Sequence, residues 1–285
     1  GRSVMPAFGG ILSEDERRRI VEHVLTLMPP QEAQDPSRSV LHVGERAALA
    51  RGKLPPAAEG RPALPRGLLL GLPAGLTFEY DVQDVAPVAV RLGAFADRED
   101  WRGRGGGYLK PLGNVIYLCT RAPVFTADGE LLRAHLKASW NEAAAAGLEY
   151  ALVDAHGRVR ATVVEGLRAV PLSAGGAFRR ELEIDAVGTG LKLDLALAGD
   201  ERTRFERADG AWRSGPRALG PEGAGDVEAV WLELPAGARA DTSSGALRAH
   251  VELAPGAPTR LAATVLLLPD DSPERLAALA EEIAR

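Results

Sequence analysis

The chain has 285 residues, of which 46% are hydrophobic and 26% charged, and it carries a formal net charge of −5. This length suits one large domain or two smaller ones, and the composition excludes both a disordered chain and a helical membrane protein. The acidic balance argues against a general nucleic-acid binder, and a single cysteine, Cys119, excludes a disulfide framework and a multi-cysteine metal site.

Taken in chain order, the first predicted element is a helix over residues 13–27. Ser13 is a good N-cap, Glu16 three positions on completes a capping box, and Glu14 and Asp15 suit the positive end of the helix dipole. Ile20, Val21, Val24 and Leu27 then form one apolar stripe. Residues 28–65 hold seven prolines, at 29, 30, 36, 55, 56, 62 and 65, and show no sustained period. They read as a Pro-rich linker with a short helix near "GERAALARG".

From residue 66 to 270 short apolar and alternating runs take over, among them "LTFEYDV", "VAVRLGAF", "NVIYLCT", "LLRAHLKASW", "AFRRELEIDA", "GLKLDLALAG", "VEAVWLELP" and "ALRAHVELAP". Asp128-Gly129, His156-Gly157 and Asp209-Gly210 punctuate them as turns. About nine to eleven strands without intervening helices predict a mainly β chain built as one antiparallel β-sandwich. Cys119 falls inside an apolar, β-prone run and reads as a buried thiol. Residues 271–285 form a C-terminal helix, with Ser272-Pro273-Glu274 at its start and Leu276, Leu279 and Ile283 along one side. No run approaches the roughly 18 to 20 apolar residues that a membrane-spanning helix requires.

The opening stretch "MPAFGGILSEDERRRIVEHVLTL" places Met-Pro, small residues and an aromatic before the capped helix. It resembles the C-terminal part of a small c-type cytochrome domain, in which a "MPAF" segment supplies the sixth haem ligand and a final helix packs on the opening one. The resemblance implies Met5 as the axial ligand to the haem iron, Pro6 as the residue that holds the ligand loop, and Phe8 as packing near the haem edge. A thioether opposite histidine stabilises reduced iron and suits an electron carrier. The chain has no Cys-x-x-Cys-His, and none of His23, His42, His135, His156 and His250 follows paired cysteines. The expectation is therefore that residues 1–27 end a haem domain whose attaching half lies upstream, and that haem c is held only with that part. The start at Gly1 rather than methionine agrees with a true N-terminus further upstream, so the lack of a signal peptide carries no weight.

A second distinctive stretch is "WRGRGGGYLKPLGNVIYL", residues 101–118. With "GAFAD" at 93–97 upstream, it resembles a segment of large bacterial secreted proteins that join a c-type cytochrome to a β-sandwich of uncharacterised role, beside sugar-oxidising or sugar-hydrolysing modules. Trp101, Arg104, Gly105, Gly107, Pro111, Leu112 and Gly113 carry the likeness. Gly106 stands where that pattern has an acidic residue, which removes a carboxylate from the expected loop. Read from its residues alone, the stretch is a glycine-rich loop followed by a strand. A phosphate cradle needs a following helix, so the loop does not point to a nucleotide. Trp101, flanked by Arg102 and Arg104, reads either as a stacking platform for a sugar ring or as a cap on the sandwich end; Trp101, Arg104, Gly105 and Gly107 are the candidate ligand-binding set.

Catalytic patterns are sparse: there is no Gly-x-Ser-x-Gly, no His-Glu-x-x-His and no dinucleotide fingerprint. The functional expectation is a portion of an extracytoplasmic c-type cytochrome, periplasmic or secreted, in which the sandwich docks a redox partner protein or recognises carbohydrate. It is expected to transfer electrons or bind rather than catalyse. The competing expectation is a carbohydrate-binding or carbohydrate-active sandwich without a redox role, and a third is a structural spacer.

Overall fold

The computed structural model describes residues 13–27, 39–101, 107–119, 125–171, 176–198, 205–208, 210–214, 227–244, 246–268, 278–279 and 281–283. The chain divides into two compact units, Gly1–Arg38 and Ser39–Arg285. In the first, α1 (Glu14–Leu27) begins as its capping residues dictate. Glu16 Oε2 accepts from the Ser13 N–H at 2.8 Å, and the Glu16 N–H donates back to Ser13 Oγ at 3.3 Å. The two bonds satisfy helix-end groups reciprocally.

The second unit is built of β1 (Val40–Leu41), β2 (Ala48–Leu54), β3 (Leu64–Gly71), β4 (Leu76–Asp81), β5 (Ala86–Leu92), β6 (Ala96–Arg98), β7 (Leu109–Pro111), β8 (Asn114–Leu118), β9 (Phe125–Ala127), β10 (Glu130–Leu131) and β11 (Arg133–Asn141). It continues through β12 (Ala145–Val153), β13 (Val159–Ala169), β14 (Gly176–Ala186), β15 (Leu191–Ala198), β16 (Phe205–Ala208), β17 (Ala211–Ser214), β18 (Val227–Glu233), β19 (Arg239–Ser244), β20 (Ala246–Leu253) and β21 (Thr259–Leu268). Among the described residues these make an eight-stranded sheet, β11-β12-β13-β14-β21-β18-β17-β16, and two five-stranded sheets, β2-β3-β4-β5-β8 and β10-β9-β15-β20-β19. A three-stranded sheet, β1-β6-β7, completes the set. The pairings between these strands are antiparallel, as the run of short alternating segments predicts.

One face of the eight-stranded sheet packs on both five-stranded sheets. Phe178 of β14 meets Phe78 of β4 edge-on at 5.4 Å and Tyr117 of β8 at 5.8 Å, while Tyr150 of β12 meets Phe125 of β9 at 5.8 Å. These contacts lie inside one continuous core to which all three sheets contribute. A second core lies on the far side of β3, where Leu54, Leu64, Leu69, Phe95 and Leu109 pack together. This explains the uninterrupted run "LLL" in β3: Leu68 and Leu70 enter one core and Leu69 the other, so both faces of the strand are covered.

The linker expected over residues 28–65 is corrected in its second half. Residues 40–41, 48–54 and 64–65 are strand, and the helix expected near "GERAALARG" is β2 instead. β2 is a weak pattern because Ala48, Ala50 and Gly52 carry little apolar area, and Gly52 lies against Leu109, whose Cβ would be 2.7 Å from an added methyl. The prolines at 55, 56 and 62 fall between β2 and β3, and Pro65 sits in β3 where the register with β2 shifts between Gly52 and Leu54, a bulge that tolerates a missing N–H. Residues 278–279 and 281–283 are helical, and Leu279 is buried with Ala177, Ala229 and Leu266 against the outer face of the eight-stranded sheet.

Candidate functional site: a groove on the eight-stranded sheet

Across the outer face of this sheet one row of cross-strand partners runs Trp140, Gly147, Gly166, Glu181, Ala262, Glu233, from β11 to β18. The row crosses five strand spacings, roughly 24 Å along the sheet. Its two glycines make the space for Trp140. A methyl on Gly147 would stand 2.4 Å from the indole Cζ2, and one on Gly166 would lie 3.6 Å from Cη2, so the ring rests over both. The Trp140 Nε1–H is buried and has no acceptor among the described residues.

The adjacent rows supply charge. Arg179 on β14 is opposite Thr264, and Glu183 is opposite Arg260 of β21. Arg179 Nε donates to Glu181 Oε1 at 2.8 Å and Nη2 to Glu233 Oε2 at 2.7 Å, while Nη1 is bonded to Glu233 Oε1. Arg260 donates through Nε and Nη2 to Glu183 Oε2 at 2.7 and 2.6 Å. The hydrogen bond with Glu233 raises the affinity of Arg179 for its proton; partial burial opposes this and Glu181 adds to it. Reciprocally, the hydrogen bond from Arg179 holds the Glu233 carboxyl below its ordinary 4.5. Trp140, Val164 and these paired groups line a groove of about 500 Å³, with Leu234 and Pro235 lining it at the β18 end. This volume is within the ordinary range of small-molecule sites.

Beneath the groove, on the inner face, a second polar cluster is sealed in the core. Glu165 of β13 accepts from Tyr80 Oη at 2.6 Å, Tyr150 Oη at 2.8 Å and Arg180 Nε at 2.5 Å, and both charged side chains are buried. Burial is the largest influence on Arg180 and works against its charge, yet Glu165 and the two tyrosines together outweigh it. The tyrosines are pushed far above the normal phenol range, first by burial and then by Glu165. Nearby, Tyr117 Oη donates to the buried Glu228 at 2.5 Å. The cavity that Arg180 borders together with Tyr117 and Cys119 is only about 30 Å³, enough for water and too small for a sugar. This cluster therefore holds the sheets together and is not a substrate site.

Of the residues expected to bind ligands, Met5, Pro6, Phe8, Arg104 and Gly105 lie outside the described residues. Trp101 ends a short 3₁₀ turn, Glu99–Trp101. Gly107 lies against the backbone of that turn, where an added methyl would be 2.8 Å from the Glu99 carbonyl oxygen. The glycine at 107 thus has a packing role. Lys110, expected only as part of the loop stretch, pairs with Glu99 at 3.6 Å. Cys119 is buried, and desolvation pushes its thiol up to about 12, so it is an inert core residue at neutral pH. His250 is bonded through Nδ1 to Asp194, and its Nε2 lies 2.7 Å from Asp241 Oδ2 without hydrogen-bond alignment. It spans two carboxylates of neighbouring strands, and among the described residues no group of His, Cys, Asp or Glu has the arrangement of a metal site.

Trp140 was not among the sequence candidates, although a signal for it exists: "LLRAHLKASW" ends on a tryptophan whose partner across the hairpin is Gly147. No family model and no curated protein matches the chain. Among solved structures it is similar to a protein described as heparinase III, the BT4657 gene product, with a TM-score of 0.34 and 7% identity over 73% of this chain and 34% of that one. The chain thus spans about a third of the length of that protein. It is also similar to HI1317, with a TM-score of 0.28 and 11% identity over 78% of this chain and 99% of that one. At these scores neither likeness bears on function.

Proposed function

We propose that the β unit is a saccharide-recognition module and that its ligand lies in the groove on the eight-stranded sheet. The observation that carries this reading is the Trp140 ring, set over Gly147 and Gly166 at one side of a 500 Å³ groove lined by paired arginine and glutamate side chains. A pyranose presents an apolar face that stacks on an aromatic ring, and hydroxyls that meet planar groups able to donate or accept. Glu233 is poorly suited to the general-acid role in glycoside hydrolysis. A general acid needs a carboxyl with a raised pKa, whereas Glu233 is held below the ordinary value by Arg179. The proposed role is therefore binding, with Glu233 acting as a paired carboxylate and not as a general acid.

Isothermal titration of the protein with a panel of oligosaccharides tests the proposal. The Trp140→Ala variant is expected to lose affinity on the order of tenfold or more, as truncation of a central aromatic anchor does. Binding that is unchanged in Trp140→Ala, or absent across the whole panel, would contradict it.

The attachment of this module to a haem domain is a second reading, favoured by α1. Ile20 and Val21 are 49% and 57% exposed on a helix whose start is firmly capped, apolar area suited to packing against another helix. With the "MPAF" segment before it, this supports Met5 as an axial haem ligand and electron transfer as the role of the whole protein. The visible spectrum of the full-length natural protein checks it: haem absorption that changes in Met5→Ala is expected, and absence of haem rules the reading out.

A further inference from the structure

The charge arrangement of the groove narrows the ligand class, an inference that rests on the saccharide reading above. Two guanidinium and three carboxylate groups line the groove: Arg179 and Arg260 against Glu181, Glu183 and Glu233. Arg168, next to them, lies 3.5 Å from Glu181, which balances the two signs. Each of these guanidinium groups already faces a carboxylate. The fork of Arg179 is divided between Glu181 and Glu233, with a weaker contact from Nη1 to Thr264 Oγ1 at 3.3 Å, and that of Arg260 is turned to Glu183 through both Nε and Nη2.

Recognition of a sulfate or uronate is favoured by an arginine whose positive charge is not already balanced by a neighbouring carboxylate. Here such a group would meet guanidinium charge already balanced by carboxylates paired at 2.6 to 2.8 Å and would lie beside those carboxylates, like charge against like. A hydroxyl encounters no such conflict, because it accepts from the remaining N–H groups and donates to the remaining carboxylate lone pairs. We infer that the groove takes an uncharged oligosaccharide and excludes polyanionic glycans.

The test titrates wild-type protein with neutral hexaoses (cellohexaose, maltohexaose, xylohexaose) and with heparin and polygalacturonate, at low and at raised salt. A Glu183→Gln/Glu233→Gln variant, altered at half-exposed and exposed side chains, is run beside it. The expected result is Trp140-dependent binding of a neutral hexaose that salt leaves unchanged, no Trp140-dependent binding of either polyanion to wild type, and a gain of salt-sensitive heparin binding in the double variant, in which Arg260 loses its counter-charge and Arg179 keeps only Glu181. Binding of heparin or polygalacturonate to wild type that is lost in Trp140→Ala would overturn the exclusion of polyanions and leave the saccharide site standing. Absence of binding by all five probes to wild type, at either salt, overturns the inference; only the wider panel described above decides the saccharide reading itself.

Discussion

Gly147 and Gly166 are partners across β12 and β13, yet a methyl group meets different surroundings at each. At Gly147 it would stand 2.0 Å from the Glu165 carbonyl oxygen and 2.4 Å from the Trp140 ring, and the backbone atom has no easy way to move. Gly147→Ala is therefore expected to cost stability at or above the upper end of the roughly 1–3 kcal/mol typical of overpacking. At Gly166 the nearest atom is 3.6 Å away, an ordinary contact, and Gly166→Ala is expected to stay within about 1 kcal/mol of wild type. Urea denaturation of the two variants checks the pair; equal losses would refute the account of how the indole is seated. The Glu165–Arg180 pair belongs to the same scale. Glu165→Gln leaves a buried guanidinium without its counter-charge and is expected to cost about 3–5 kcal/mol. Adding Arg180→Met should cost less than the sum of the two single changes, because the pair is coupled. Strict additivity in the denaturation midpoints would show that the two side chains act independently.

At the level of elements, alternation made most strands legible. "LTFEYDV", "NVIYLCT" and "AFRRELEIDA" are β4, β8 and β14, and the Asp128-Gly129 turn has positive φ at both residues, 51° and 83°, as a two-residue hairpin loop requires. β2 was not legible, because its burial comes from small residues and from packing against Phe95 and Leu109, which are distant in sequence. The candidate site failed for a related reason. A single strand shows which residues share a face, but the row that joins Trp140 to Glu233 exists only once six strands are in register. The buried cluster was closer to view: Glu165 falls in phase with Ala161, Val163 and Leu167, and Arg180 with Phe178, Leu182 and Ile184, so both charges stand on the inward face of their strands. The Arg179–Glu233 bond between β14 and β18 gives this level its own pH dependence. Because the folded-state pKa of Glu233 is lowered, its contribution is complete above the unfolded value and is lost as pH falls from 4.5 through the folded value. Glu233 is 64% exposed, so this contribution stays below about 1 kcal/mol. Stability of wild type minus that of Glu233→Gln should be flat from pH 7 to about 5 and shrink below 4.5; a difference that grows on acidification would contradict the assignment.

For the molecule as a whole, the β unit combines a core shared by three sheets with one sheet face left partly open. The inner face of the eight-stranded sheet carries aromatic contacts and the Glu165 cluster, which fix the sheets on one another, while its outer face carries a groove whose charges are already paired. A rigid face of this kind is pre-organised for a ligand, since little side-chain freedom remains to be lost on binding. Nuclear magnetic resonance titration with a neutral hexaose tests this account most directly, read at the four tryptophan indole N–H signals and at the glycine amides. The account predicts that Trp140 Nε1–H and the amides of Gly147 and Gly166 shift together and saturably while Trp101 stays in place. Shifts centred on Trp101 and Gly107, or none at Trp140, would contradict it and return the site to the glycine-rich loop.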